Sequence, residues 1–110
     1  MKPEKTPITI TARAERHALR EPFRIARCTT THSLMMVVEL HAGGFTGRGE
    51  CEPHETDEAM LDEAVAEATA LAPILAEGIT RDELPSALPR GPVRNAVDCA
   101  LWDLDAKRAG

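Results

Sequence analysis

Leu34-Met35-Met36-Val37-Val38-Glu39-Leu40-His41-Ala42-Gly43-Gly44-Phe45-Thr46-Gly47-Arg48-Gly49-Glu50-Cys51 decides the fold. Two runs suited to strands flank Gly43-Gly44, a pair whose freedom at positive φ suits the tightest hairpin turn. A two-residue turn sets Ala42 opposite Phe45, Leu40 opposite Gly47, Val38 opposite Gly49 and Met36 opposite Cys51. That face is apolar, and its two glycines leave room for close packing. The other face sets His41 against Thr46, Glu39 against Arg48 and Val37 against Glu50, with Glu39 and Arg48 expected to form a cross-strand ion pair.

Upstream, Ile8, Ile10, Ala12 and Ala14 alternate with Thr9, Thr11, Arg13 and Glu15, the period-2 pattern of a strand. The pattern fades near Ala18, Glu21-Pro22 breaks it, and residues 19–33 read as a long loop. Residues 1–7 read as a flexible N-terminus. Downstream of Pro53, a helix capped by Thr56 or Asp57 is expected, with Leu61, Ala64, Val65, Ala68, Leu71, Ala72 and Leu75 on one stripe. Pro73 should bend or end it, and Gly78 should stop it. Residues 80–84 read as a short helix cut off by Pro85 and Pro89. Pro92 opens a last helix from Val93 to Lys107, with Val93, Ala96, Val97, Ala100, Leu101 and Leu104 inward and Arg94–Asp98 and Asp103–Lys107 as i, i+4 ion pairs. The class is α+β, a three-stranded antiparallel meander followed by a helical segment.

At 110 residues the chain bounds one domain, which buries about two thirds of its unfolded surface. No apolar run is long enough for a membrane helix and no signal-peptide pattern opens the chain, so a cytoplasmic address is expected. The net charge of −5, with two Phe, one Trp and no Tyr, argues against nucleic acid as partner. Cys28, Cys51 and Cys99 are odd in number and widely spaced, which suits free thiols. His17, His32, His41 and His54 have no partner at a catalytic or metal-binding spacing. Arg13, Arg16, Arg20, Arg24 and Arg27 fall within fifteen residues, whereas eight acids lie between Glu50 and Glu67 with no Lys or Arg from there to Arg81. We read the arginines as solvated charges pairing in part with the acidic stretch, with a local anion site as the alternative.

The segment Val97-Asp98-Cys99-Ala100-Leu101-Trp102-Asp103-Leu104-Asp105-Ala106-Lys107 resembles the signature helix of the mandelate racemase and muconate lactonising group of the enolase superfamily. Gly47-Arg48-Gly49-Glu50 resembles the Gly-x-Gly-Glu segment that closes that family's first sheet, and Pro22-Phe23-Arg24-Ile25-Ala26-Arg27 resembles the specificity loop of its dipeptide epimerase branch, of L-Ala-D/L-Glu type. The resemblance implies that residues 8–110 are an enolase-like N-terminal capping domain. The (β/α)8-type barrel, with its Mg²⁺ ligands and two catalytic lysines, then lies outside these residues. It implies two loops closing over a dipeptide substrate, around residues 19–33 and 51–57, with Arg27 and Arg24 reading an acidic side chain beside Phe23 and Ile25.

It further implies an isomerase that abstracts an α-proton by way of an enediolate, a homo-oligomer when full length, and no activity from the 110 residues alone. In this reading Asp98, Cys99 and Trp102 pack or pair at an interface. Alternatives are the cap of a muconate cycloisomerase or an o-succinylbenzoate synthase, or a stand-alone binding module built on the cap fold.

Overall fold

The computed structural model describes residues 6–25, 28–53 and 57–110, with side chains at all of these except 17–25 and 28–33. β1 (Thr9–Ile25), β2 (Cys28–Ala42) and β3 (Phe45–Cys51) form an antiparallel sheet in the order β1-β2-β3. Four helices follow: α1 (Glu58–Thr69), α2 (Ala72–Ala76), α3 (Leu84–Ala87) and α4 (Pro92–Ala109). The β2–β3 register is the one the Gly43-Gly44 turn demands, Ala42 opposite Phe45 through Met36 opposite Cys51. Both turn glycines have positive φ, 57° and 82°. That conformation aligns the turn's twist with that of the strands.

One face of the sheet is apolar and carries all four helices. Leu34, Met36, Val38, Leu40 and Ala42 of β2 meet Leu61, Ala64 and Ala68 of α1, Leu75 of α2, Leu84 of α3 and the Val93, Ala96, Val97, Ala100, Leu101 and Leu104 stripe of α4 in one buried cluster. No polar or charged side chain is buried among the described residues. The opposite face is charged: Arg13 donates to both Glu15 and Glu39 at 2.8 Å. Val37, flanked in register by Arg13 and Glu50, is nevertheless 0% exposed within that polar face.

α4 packs closely on β3, backbone against backbone. A Cβ on Gly47 would lie 2.5 Å from the Leu104 nitrogen and collide with the Ala100 carbonyl, and one on Gly49 would lie 2.9 Å from the Ala96 carbonyl carbon. The bare glycine backbone thus faces an i, i+4 pair of alanines. α4 then reaches over the free edge of β3. The Arg48 N–H donates to the Asp103 carboxylate at 2.9 Å, and Lys107 Nζ donates to the Thr46 carbonyl at 2.8 Å and to Asp103 at 3.0 Å. Polar groups of an edge strand that would otherwise recruit another chain are satisfied by two side chains one turn apart. The Arg48 amide, then Lys107, hold the Asp103 carboxyl below its ordinary pKa.

Several expectations change on inspection. Residues 19–25 and 28–33 are not loop: their backbone continues β1 and β2, with a register irregularity between Ala18 and Phe23 where Pro22 sits. A proline is tolerated there because β1 is an edge strand. The stripe predicted through Leu75 is split by a turn at Ala70-Leu71, and Pro73 starts α2 rather than ending α1. Likewise Pro85 lies in the first turn of α3 instead of cutting a helix off, because a first turn has no use for the missing N–H. Asp57 is the cap of α1, accepting from the Ala59 and Met60 amides at 2.9 and 3.2 Å, about 1 kcal/mol of helix stability. Glu39 pairs with Arg13 rather than Arg48, and Asp98 with Arg81 rather than Arg94, whose guanidinium donates instead to the Leu88 carbonyl. The Asp103–Lys107 pair is present.

Two outcomes test this packing. Gly49→Ala should cost about 3 kcal/mol in urea unfolding, because the new methyl meets helix backbone that cannot yield without lifting α4. Gly43→Asn at the turn should stay within about 0.5 kcal/mol. Asp103, with its pKa depressed, contributes stability that is present above the ordinary carboxylate range and lost as pH falls through it. Asp103→Asn should therefore flatten the decline of the urea midpoint on acidification from about pH 5 downward.

Candidate functional site

β3 pairs only with Met36–Ala42, so β1 and β2 run on beyond the Arg16–Leu34 pair as a ribbon without a third strand. By the strand rise of its shorter arm, residues 28–33, the ribbon is roughly 20 Å long. It helps give the molecule a 58 Å long axis against 27 and 17 Å in the other directions. β3 ends at Cys51, opposite Met36, so the chain entering residues 52–57 leaves from the sheet end where the ribbon begins. Topology thus brings the described parts of the two segments singled out by the resemblance, 19–25 with 28–33 and 51–53, to the same end of the sheet. Arg16, at the root of the ribbon, donates from Nε to Glu58 Oε1 at 2.7 Å across that junction.

Of the four candidate substrate-binding residues, Phe23, Arg24 and Ile25 lie on the ribbon, their backbones paired with Thr30, Thr29 and Cys28. Their side chains, and the whole of Arg27, lie outside the described residues, as do His54 and the side chains of His17 and His32. His41 is described: its ring is bracketed by Thr46 Oγ1 at 2.9 Å and Thr11 Oγ1 at 3.4 Å, a cross-strand hydrogen-bond bridge with no nucleophile or carboxylate in it. The N-terminal arginines with described side chains pair with acids, Arg13 with Glu15 and Glu39 and Arg16 with Glu58 of the acidic stretch.

A second cluster was not legible from spacing. Arg81 stacks on the Trp102 ring, 3.5 Å from its centroid, and reaches the Asp98 carboxylate at 3.2 Å. Trp102 is 57% exposed. Sequence reading placed Asp98 and Trp102 on one helix but gave no sign that residue 81 returns to them, since Asp98 had Arg94 as a nearer cation. Cys51 is half-buried beside the ribbon root, where desolvation and then the nearby Glu67 carboxylate push its thiol up to about 11. Cys99 is exposed on α4.

Among the described residues no three His, Cys, Asp or Glu side chains come together to hold a metal ion, so the implied Mg²⁺ has no ligand set there. No described helix is long and apolar enough to cross a membrane. The described geometry offers a platform and a protruding two-stranded ribbon.

The N-terminal domain of the mandelate racemase / muconate lactonizing enzyme family matches residues 7–110. The L-Ala-D/L-Glu epimerase of Escherichia coli (strain K12) is 41% identical over 104 residues, 91% of this chain and 31% of that protein. A solved enolase family member from Agrobacterium tumefaciens with homology to dipeptide epimerases, holding sodium and L-Ala-L-Glu with an ordered loop, superposes with a TM-score of 0.83 at 42% identity. It covers 94% of this chain and 32% of its own. The dipeptide epimerase of Cytophaga hutchinsonii, complexed with Mg and D-Ala-L-Val, superposes with a TM-score of 0.76 at 26% identity over 96% of this chain and 31% of its own. The chain therefore spans about a third of the length of these relatives.

The thiol contrast is directly measurable. At pH 8, iodoacetamide should modify Cys99 well before Cys51, as read by peptide mass spectrometry, because the Cys51 thiol is both shielded and held protonated.

Proposed function

This chain belongs to the mandelate racemase / muconate lactonizing enzyme family, as its N-terminal domain, and from that premise we propose that it is the capping and specificity domain of a Mg²⁺-dependent dipeptide epimerase of L-Ala-D/L-Glu type. The observation that carries the reading is the 41% identity to the E. coli L-Ala-D/L-Glu epimerase across 91% of the chain. Acidic dipeptides are favoured because the solved relative at 42% identity holds L-Ala-L-Glu, whereas the one holding D-Ala-L-Val is only 26% identical.

In this reading residues 8–110 are the cap, residues 1–5 lie outside the described residues, and the barrel belongs to the rest of a protein of the relatives' length. Mg²⁺ would be held by barrel residues outside these 110 and would supply positive charge beside the substrate carboxylate. The chain's own part is recognition and exclusion of water. The ribbon and the 51–57 segment cover the substrate. Arg27, with Arg24 as the second cation, meets the acidic side chain in charge-assisted hydrogen bonds, and Phe23 and Ile25 shape the wall. A cytoplasmic homo-oligomer acting on a small dipeptide, with no nucleic-acid or membrane partner, completes the proposal.

The test is the protein at the length of its relatives, supplied with L-Ala-D-Glu, L-Ala-L-Glu and a panel of neutral and basic dipeptides in D₂O. Incorporation of deuterium at the α-carbon of the acidic dipeptides, seen by NMR, is expected. No exchange on any dipeptide would remove the reading in favour of a cycloisomerase or synthase of the same family. Arg27→Ala should raise KM for Ala-Glu about tenfold or more with a smaller change in kcat, and an unchanged KM would take Arg27 out of the site.

A further inference from the structure

We propose that Arg16 is a positioning residue, whose ion pair with Glu58 fixes the lean of the β1–β2 ribbon toward the first turn of α1. The pair joins two elements with different mechanical character. α1 is a 12-residue helix capped by Asp57 and seated on the core through Leu61, Ala64 and Ala68. The ribbon beyond Arg16–Leu34 has a single ladder of hydrogen bonds and no third strand. A two-stranded hairpin is at best marginally stable and bends most readily where its support ends. Third-strand pairing stops at the Ala14–Met36 pair and Leu34, opposite Arg16, is buried in the core, so Arg16 stands at the root of the two-stranded stretch.

Arg16 bridges that hinge. Its Nε lies 2.7 Å from Glu58 Oε1, 42 residues away in sequence, and Glu58 opens α1 immediately after its cap. Asp62, one turn further along α1, adds attraction, so the guanidinium faces an acidic helix start rather than a lone carboxylate. Both partners are largely exposed, 45% and 60%, and the pair adds little to global stability. Its leverage is geometric. Over a ribbon of roughly 20 Å, a tilt of about 5° at the root moves the far end by about 1.7 Å. Misplacement of about 1 Å at a recognition group already weakens positioning. A weak bond at the fulcrum thus controls what the tip residues can reach.

The consequence for substrate rests on the epimerase reading above, whereas the consequence for the ribbon does not, and the experiment separates them. In the protein at the length of its relatives, amide hydrogen exchange and steady-state kinetics on L-Ala-L-Glu are compared for Arg16→Met, Arg16→Lys and Glu58→Gln. Arg16→Met and Glu58→Gln should each speed exchange in 17–25 and 28–33 about two- to fivefold and leave amides 61–68 of α1 unchanged. KM should rise by a similar factor while kcat changes less, and Arg16→Lys should recover most of both effects. Ribbon exchange at the parent rate in Arg16→Met overturns the proposal. So does equal acceleration in α1, which would make the role one of global stability. If the parent protein fails to epimerise dipeptides, the functional reading falls, and the exchange data still decide whether Arg16 holds the ribbon.

Discussion

The distance between β3 and α4 is the constraint from which the rest of the domain follows. Helix backbone can rest on strand backbone only where no side chain intervenes, and Gly47 and Gly49 open that space opposite Ala96 and Ala100. With α4 seated so low, Asp103 and Lys107 come within reach of the outward N–H and C=O groups of the edge strand. The acid and the base of the signature segment thus complete a sheet edge that would otherwise be open, and in this domain their work is structural. The remaining helices fill the space left between α4 and the long β1–β2 pair, which explains why one apolar cluster holds every element together.

That arrangement was legible in the sequence where local rules and tertiary packing agree. The Gly43-Gly44 turn fixed a register, the register put two glycines on the apolar face, and the α4 stripe supplied the helix that fills the gap. Proline marked real breaks at Pro22, where the β1–β2 register shifts, and before Pro73, where α1 has already ended. Pro85, however, opens a short helix instead of closing one, because a helix first turn tolerates a missing N–H. The ribbon was misread as loop, although Phe23, Ile25 and Thr29-Thr30-Thr31 carry strand propensity on either side of its tip. Ion-pair partners were legible within a helix and not across elements, since Arg13–Glu39 and Arg81–Asp98 depend on how separate segments pack. The candidate substrate residues came from resemblance, and topology places the backbones of Phe23, Arg24 and Ile25 on the ribbon.

The uneven charge of the chain acquires a spatial meaning once the sheet is closed. Two arginines of the N-terminal run are taken up by carboxylates, Arg13 on the polar sheet face and Arg16 at the ribbon root. These two fit the solvated, paired reading, whereas Arg24 lies further out, on the ribbon itself. A single run of like charges thus divides between fastening the ribbon and, in the proposed function, what the ribbon presents to substrate.

Trp102 has a practical consequence of another kind. It is the chain's only tryptophan, more than half exposed, with a guanidinium laid on its ring. Its fluorescence therefore senses the seam between the segment before α3 and the outer face of α4, while the core, built of aliphatic side chains and methionine, emits nothing. An emission change in this domain is a signal of something arriving at or leaving that seam.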